Sequence, residues 1–154
     1  MAENIKYNEA LKKAMKLCAG REFCRSEIES RLEKWGIQPA EREKILKALQ
    51  KDKFIDEIRF STAYARDKFK HNRWGKVKIA VMLKSKGIDE DTIQQAVGSI
   101  DEEEYINTLR KLIETHRKSV RAKNSFELRG KLVRFAISRG FEPDLIYRIL
   151  EEEE

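Results

Sequence analysis

The chain has 154 residues, 33 Lys and Arg against 27 Asp and Glu, and a net charge of +6. Only two prolines and seven glycines interrupt it; 40% of its residues are hydrophobic and 39% charged, a balance that argues against a sheet-rich domain and for helices with one buried stripe and one solvated face. No apolar run reaches the roughly 18 residues of a membrane span, and the opening MAENIKYNEALKK lacks the apolar stretch of a secretory signal, so a soluble, cytoplasmic protein is expected.

Apolar residues at helical spacing begin with Tyr7, Leu11, Ala14 and Cys18. Cys18 and Cys24 have neither the spacing of zinc ligands nor that of a disulfide framework and are read as reduced, with no metal or cofactor. The next helix, RSEIESRLEKWGI, places Ile28 and Leu32 eight and four positions before Gly36. Ser26 is its expected cap. A third helix starts near Pro39 and turns Ile45 and Leu46 inward; Pro in a first turn is compatible with helix initiation.

After Asp56 the pattern recurs. Phe60, Tyr64 and Phe69 mark a fourth helix; Ile79 and Leu83 precede Gly87; and a helix starting near Glu90 buries Ala96 and Val97. After Asp101 it recurs again, with Ile106, Leu109, Ile113 and His116, then Leu132 and Ala136 before Gly140, then a helix from near Pro143 with Ile149 and Leu150. Asn124 or Ser125 is placed to cap the middle helix of this last set.

Gly36, Gly87 and Gly140 are 51 and 53 residues apart, and each is followed by a large apolar residue, Ile37, Ile88 or Phe141. Glycine closing an amphipathic helix supplies a left-handed C-terminal turn cheaply. The expected fold is therefore all-α: three tandem three-helix repeats, residues 1–55, 56–100 and 101–154, the last ending in an acidic tail. Units of about 50 residues bury too little apolar surface to stand comfortably alone, so they should lean on one another in an elongated array, straight or curved, through Phe54, Ile55 and Ile100. Four glutamates, Glu151 to Glu154, oppose the dipole at a helix end, and a frayed tail is expected.

The segment FIDEIRFSTAYARDKF, Phe54 to Phe69, with Ile55, Asp56, Arg59, Phe60 and Tyr64, resembles the junction of first and second repeats in the RecX family of regulators of the RecA recombinase. GKVKIAVMLKSKGI, Gly75 to Ile88, and KLVRFAISRGF, Lys131 to Phe141, are similar to that family's second and third repeats. The first repeat departs from the pattern at Arg42, where the others have Ile93 and Ile146. The resemblance covers almost the whole chain. It implies a cytoplasmic regulator that binds RecA or its filament on single-stranded DNA and modulates, chiefly inhibits, its part in recombination, DNA repair and the SOS response; a monomer is expected.

The residues themselves point to charged surfaces as the place of contact. Arg66, Lys68, Lys70, Arg73, Lys76, Lys78, Lys84 and Lys86 face only one acid, Asp67, across 21 positions. They would suit an acidic protein surface or DNA phosphates, or simply form a solvated helix face. Trp74, beside Gly75, is either a stacking or apolar anchor or a wedge between repeats. Arg129, Lys131 and Arg134 belong to a second basic stretch that also includes Arg110 and Arg117. Two separated basic surfaces would give a two-ended grip. A competing expectation is a direct nucleic-acid-binding module in which helix pairs joined at Gly75 or Gly130 approach phosphates. Neither a phosphate-loop pattern nor a nucleophile with a base is present, so no enzyme is expected.

Overall fold

In the computed structural model, residues 2–153 are described, the side chains from Lys6 onward. Nine helices are found among them, in three sets. The first set is α1 (Ala2–Gly20), α2 (Arg25–Lys34) and α3 (Pro39–Lys51); the second is α4 (Glu57–Asn72), α5 (Lys76–Ser85) and α6 (Glu90–Gly98); the third is α7 (Glu102–Ser119), α8 (Ser125–Ser138) and α9 (Pro143–Glu152). The three glycines that end α2, α5 and α8 have φ of 78°, 81° and 93°, the left-handed conformation a Schellman-type ending needs. In each turn the following apolar N–H reaches back to a helix carbonyl: Ile37 to Leu32, Ile88 to Leu83, Phe141 to Ala136.

Side chains fix where helices start. Asp56, Asp89, Asp101 and Asn124 accept the N–H three residues on, at 2.8–3.0 Å, satisfying a donor that helix geometry leaves open. Asn124 is thus the cap expected for α8, whereas Ser26 does not cap α2: the N-cap position is Cys24, and the Ser26 hydroxyl donates instead to the Lys86 carbonyl at 2.6 Å. The reason is tertiary, because the turn after α5 lies against the start of α2.

Two apolar cores result. The smaller gathers Ala10, Ala14, Ile28, Leu32, Ile45, Leu46, Leu49 and Ile55 from the first set. The larger runs through the second and third sets without a break, from Phe60 and Phe69 through Ile79, Leu83, Ile93 and Ile100 to Tyr105, Leu109, Leu132, Phe141 and Ile146. Cys24 belongs to this larger core although it lies in the first set. At roughly 1.5–3 kcal/mol for each buried aliphatic side chain, the larger core dominates stability. The chain exposes 10036 Å², against about 8,100 Å² for a compact monomer of its mass, as an extended array of small units requires.

Arg42, the departure from the repeat pattern, sits half-buried and donates to the Ile37 carbonyl at 2.9 Å, bracing the turn after α2. The tail is not frayed as expected. Helix α9 runs to Glu152, which pairs with Arg110 at 2.6 Å, and Glu153 pairs with Arg117; cations from α7 offset the dipole penalty. Glu154 lies outside the described residues.

Candidate partner-binding surface

The start of each middle helix meets the end of the next repeat's middle helix. At the second joint the Gly75 and Val77 N–H groups donate to the carbonyls of Arg139 and Gly140, at 2.8 and 2.9 Å. A Cβ on Gly75 would stand 2.2 Å from the Gly140 carbonyl oxygen, and one on Gly140 would stand 2.2 Å from the Lys78 Cβ. Glycine at both positions lets two backbones touch. The Lys76 N–H donates to the Tyr105 hydroxyl at 2.8 Å, and that hydroxyl donates to Glu142. Burial, then this bond to Glu142, pushes the Tyr105 phenol far above its ordinary pKa, so it stays a donor. Tyr105 also links Phe69 and Phe141, with ring centroids at 5.6 and 5.2 Å.

The first joint repeats this plan with side chains. The 51-residue offset between Gly36 and Gly87 also relates Cys24 to Gly75 and Arg25 to Lys76. The Arg25 N–H donates to Glu57 at 2.7 Å, Ser26 donates to Lys86, and Lys86 pairs with Glu27 at 3.2 Å. Arg59 spans the joint to Glu22 at 2.9 Å and to the Lys53 carbonyl at 3.0 Å. A Cβ on Gly87 would meet nothing within 4 Å. Burial chiefly pushes the Glu57 carboxyl up, with Asp89 and Glu27 adding to it. Burial also acts to raise Glu27, but the Cys24 N–H and Lys86 outweigh it and hold that carboxyl low.

Against this frame the sequence-predicted site residues separate into groups. Arg66, Lys70, Arg73 and Lys84 are exposed. Arg73 ends α4 with φ of 55°, uncommon for a side chain other than glycine, and it leads into Trp74. Trp74 is half-buried against the larger core, with the Lys68 and Lys78 ammoniums 5.3 and 4.6 Å from its ring. Lys76 and Lys86 are taken up by the joints, Lys76 pairing with Glu102 at 3.0 Å and Lys86 with Glu27. His71 is exposed beside Asp67, and His116 stacks on Phe135 at 3.8 Å.

In the third repeat, Lys131 pairs with Glu127 at 3.1 Å and reaches the Arg121 carbonyl, Arg129 lies 6.0 Å from the Tyr147 ring, and Arg134 is exposed. Gly130, expected at a helix junction, lies inside α8, so no helix pair meets there. Sequence reasoning missed the aromatic component: Phe126 is 86% exposed and Tyr147 43%. It also missed the apolar ridge of α5, Val77 and Val81 at 46% and 60%. The positions four apart on α5 were readable as one face, but their exposure depends on which neighbours cover them. Among the described residues no cluster of His, Cys, Asp and Glu is placed to hold a metal, and no helix is long and apolar enough to cross a membrane.

These features define a tandem three-helix-repeat protein with a continuous second-to-third-repeat core and a Lys- and Arg-rich surface. Residues 56–97 match the family model for the second three-helix domain of RecX, and residues 102–150 the model for its third. The regulatory protein RecX of Thermotoga petrophila is 30% identical over 97% of this chain and 87% of its own length. That of Legionella pneumophila is 28% identical over 94% of each chain, while the chain spans only 54% of the Enterococcus faecalis relative at 28% identity. The crystal structure of RecX from Lactobacillus salivarius superposes with a TM-score of 0.85 at 20% identity over 97% of both chains, and a second RecX crystal structure with 0.89 at 21% over 97% of this chain and 74% of that one. The chain belongs to the RecX family, whose curated members are named regulatory proteins.

Proposed function

We propose that this protein binds the RecA recombinase, or its filament on single-stranded DNA, and lowers its activity in recombination and DNA repair. Membership of the RecX family carries this reading; the structure supports it with an extended array of repeats whose surface presents free basic side chains, Arg66, Lys70 and Lys84 on the second repeat and Arg134 on the third. In this reading it acts as a cytoplasmic monomer and as a regulator rather than an enzyme. An array that contacts a filament at two places gains from effective concentration, so weakening one place costs more than its own contacts.

The deciding measurement is RecA ATP turnover on single-stranded DNA as this protein is added. Turnover should fall with increasing protein, and filaments should shorten. Replacing Arg66, Lys70 and Lys84 by Glu should weaken the effect about tenfold while leaving helicity intact, since none of the three is held in either joint. A folded protein that changes neither turnover nor filament length sinks the proposal.

A further inference from the structure

Between α1 and α2 the first repeat holds a trough of about 610 Å³, within the size range of pockets that bury whole ligands, roughly 300–1,000 Å³. Leu17, Phe23 and Trp35 give it apolar walls. Its charged lining is Lys13, Lys16, Arg21 and Arg31, with no carboxylate among the described residues. On α1, Lys13, Lys16, Leu17 and Gly20 share one face by their spacing of three and four, and from Lys13 to Gly20 the trough runs about 10 Å, two helical turns. On the opposite wall Arg31 and Trp35 stand four apart at the end of α2. Cations lie over both rings: the Arg21 and Arg31 guanidiniums are 3.6 and 5.7 Å from the Phe23 centroid, and the Lys13 ammonium is 5.4 Å from that of Trp35. The carboxylates nearest in sequence are drawn to the first joint, Glu22 by Arg59 and Glu27 by Lys86, and Glu27 approaches Arg21 only at 3.8 Å. The trough is therefore apolar, two turns long and rimmed by uncompensated positive charge.

We infer that this trough docks an acidic amphipathic helix of a partner protein, its apolar residues seated along Leu17 and Trp35 and its carboxylates meeting Lys13 and Lys16 on one wall and Arg21 and Arg31 on the other. A helix laid in a groove presents apolar anchors three and four residues apart, which is the spacing of the α1 wall. Charge complementarity requires the acids, because four cations converge on the trough and no lining carboxylate offsets them. A nucleic-acid strand would supply charge but gains its other contacts by stacking on open ring faces, and here cations already lie over Phe23 and Trp35. A second copy of this chain has no acidic helix end to offer, since Glu152 and Glu153 are held by Arg110 and Arg117. This contact lies on the first repeat and does not rest on the proposed function, whose basic side chains belong to the second and third.

The test uses the full chain and a labelled synthetic peptide of about 14 residues, four helical turns, with leucines on one helical face and glutamates elsewhere. Binding is followed by anisotropy, and occupation of the trough by a shift of tryptophan emission that Trp35→Phe should remove. Lys13→Glu combined with Arg31→Glu should weaken binding about tenfold or more, and so should glutamine in place of the peptide's glutamates. Gly20→Leu should block binding with helicity unchanged: a Cβ there meets nothing within 4 Å, and the position has no positive φ, so the added side chain fills the trough without straining the fold. Failure of the parent to bind the peptide, or a Gly20→Leu variant that binds it as the parent does, overturns the inference. So does displacement of the peptide by oligothymidylate, which would make the trough a nucleic-acid site, or self-association of the chain that Gly20→Leu abolishes, which would make it a contact between copies. RecA is absent throughout, so these outcomes are separate from that of the proposed function.

Discussion

At the second joint the backbone of Gly75 touches that of Gly140, and at the first the equivalent position is Cys24, held near the turn after α5 by Ser26, Lys86, Glu27 and Glu57. The same helix ends meet in both places. What differs is what lies between them: amide to carbonyl contact in one, flexible side chains and open space beside Gly87 in the other. Backbone contacts fixed on both sides leave little freedom, whereas side-chain bridges can exchange partners without disturbing either helix. The second and third repeats are thus joined backbone to backbone through one continuous core, and the first repeat is joined to them mainly through side chains.

The sharpest way to break this contrast is to add the same methyl group at each turn. Gly140→Ala must accommodate both a φ of 93° and a Cβ against Lys78, and should destabilise the protein by about 3 kcal/mol or more. Gly87→Ala faces strain at φ of 81° with empty space around it, and should cost about 1 kcal/mol. Urea denaturation of the two variants measures both; equal losses would mean that the joints are equally tight.

A smaller effect is expected from Tyr105→Phe. It leaves the Lys76 N–H and the Glu142 carboxylate without the hydroxyl that joins them, at a cost of about 1–3 kcal/mol, and should speed hydrogen exchange at the Lys76 amide. Retained protection there would show that the glycine contact alone holds the joint.

At the first joint the matching acceptor is Glu57, and its effect should be smallest and opposite in sign. Because burial raises its carboxyl pKa in the folded chain, the folded state holds more proton than the unfolded one between the ordinary and the raised value; stability therefore falls as pH rises through that window. Glu57→Gln keeps an acceptor for the Arg25 N–H. The variant should be no less stable than the parent at neutral pH and should lose less stability between the carboxylate range and neutrality. A clear destabilisation at neutral pH would show that the charge itself holds the joint.

The repeat itself was readable from sequence because its signals are local. Glycine at Gly36, Gly87 and Gly140 answers a backbone requirement, and spacing alone turned Ile45 and Leu46, Ala96 and Val97, and Ile149 and Leu150 inward, where all six are buried. The joints were not readable, because Ser26 and Tyr105 act on residues 60 and 37 positions away, and a serine before a helix is locally indistinguishable from a cap. The basic stretch was visible as a count of charges, but not which of them were engaged: Lys76 and Lys86 face carboxylates from neighbouring repeats. Phe126 escaped notice for the opposite reason, since an aromatic near a helix start is ordinarily a core residue and only the fold shows that nothing covers it.

Cys24 is where the two cores communicate. Its side chain is fully buried in the larger one, in contact with the Ser26 hydroxyl at 3.3 Å, while its backbone begins a helix of the smaller one, so separating the first repeat from the second withdraws a buried thiol rather than merely breaking surface pairs. Unfolding of the array is then expected to proceed in stages, with the first repeat opening before the rest, as in other chains of repeats whose neighbours are unequally coupled. Burial, which raises the Cys24 thiol pKa, makes it unreactive while the joint is closed. The same residue that completes the core therefore turns the opening of that joint into a change of chemical reactivity.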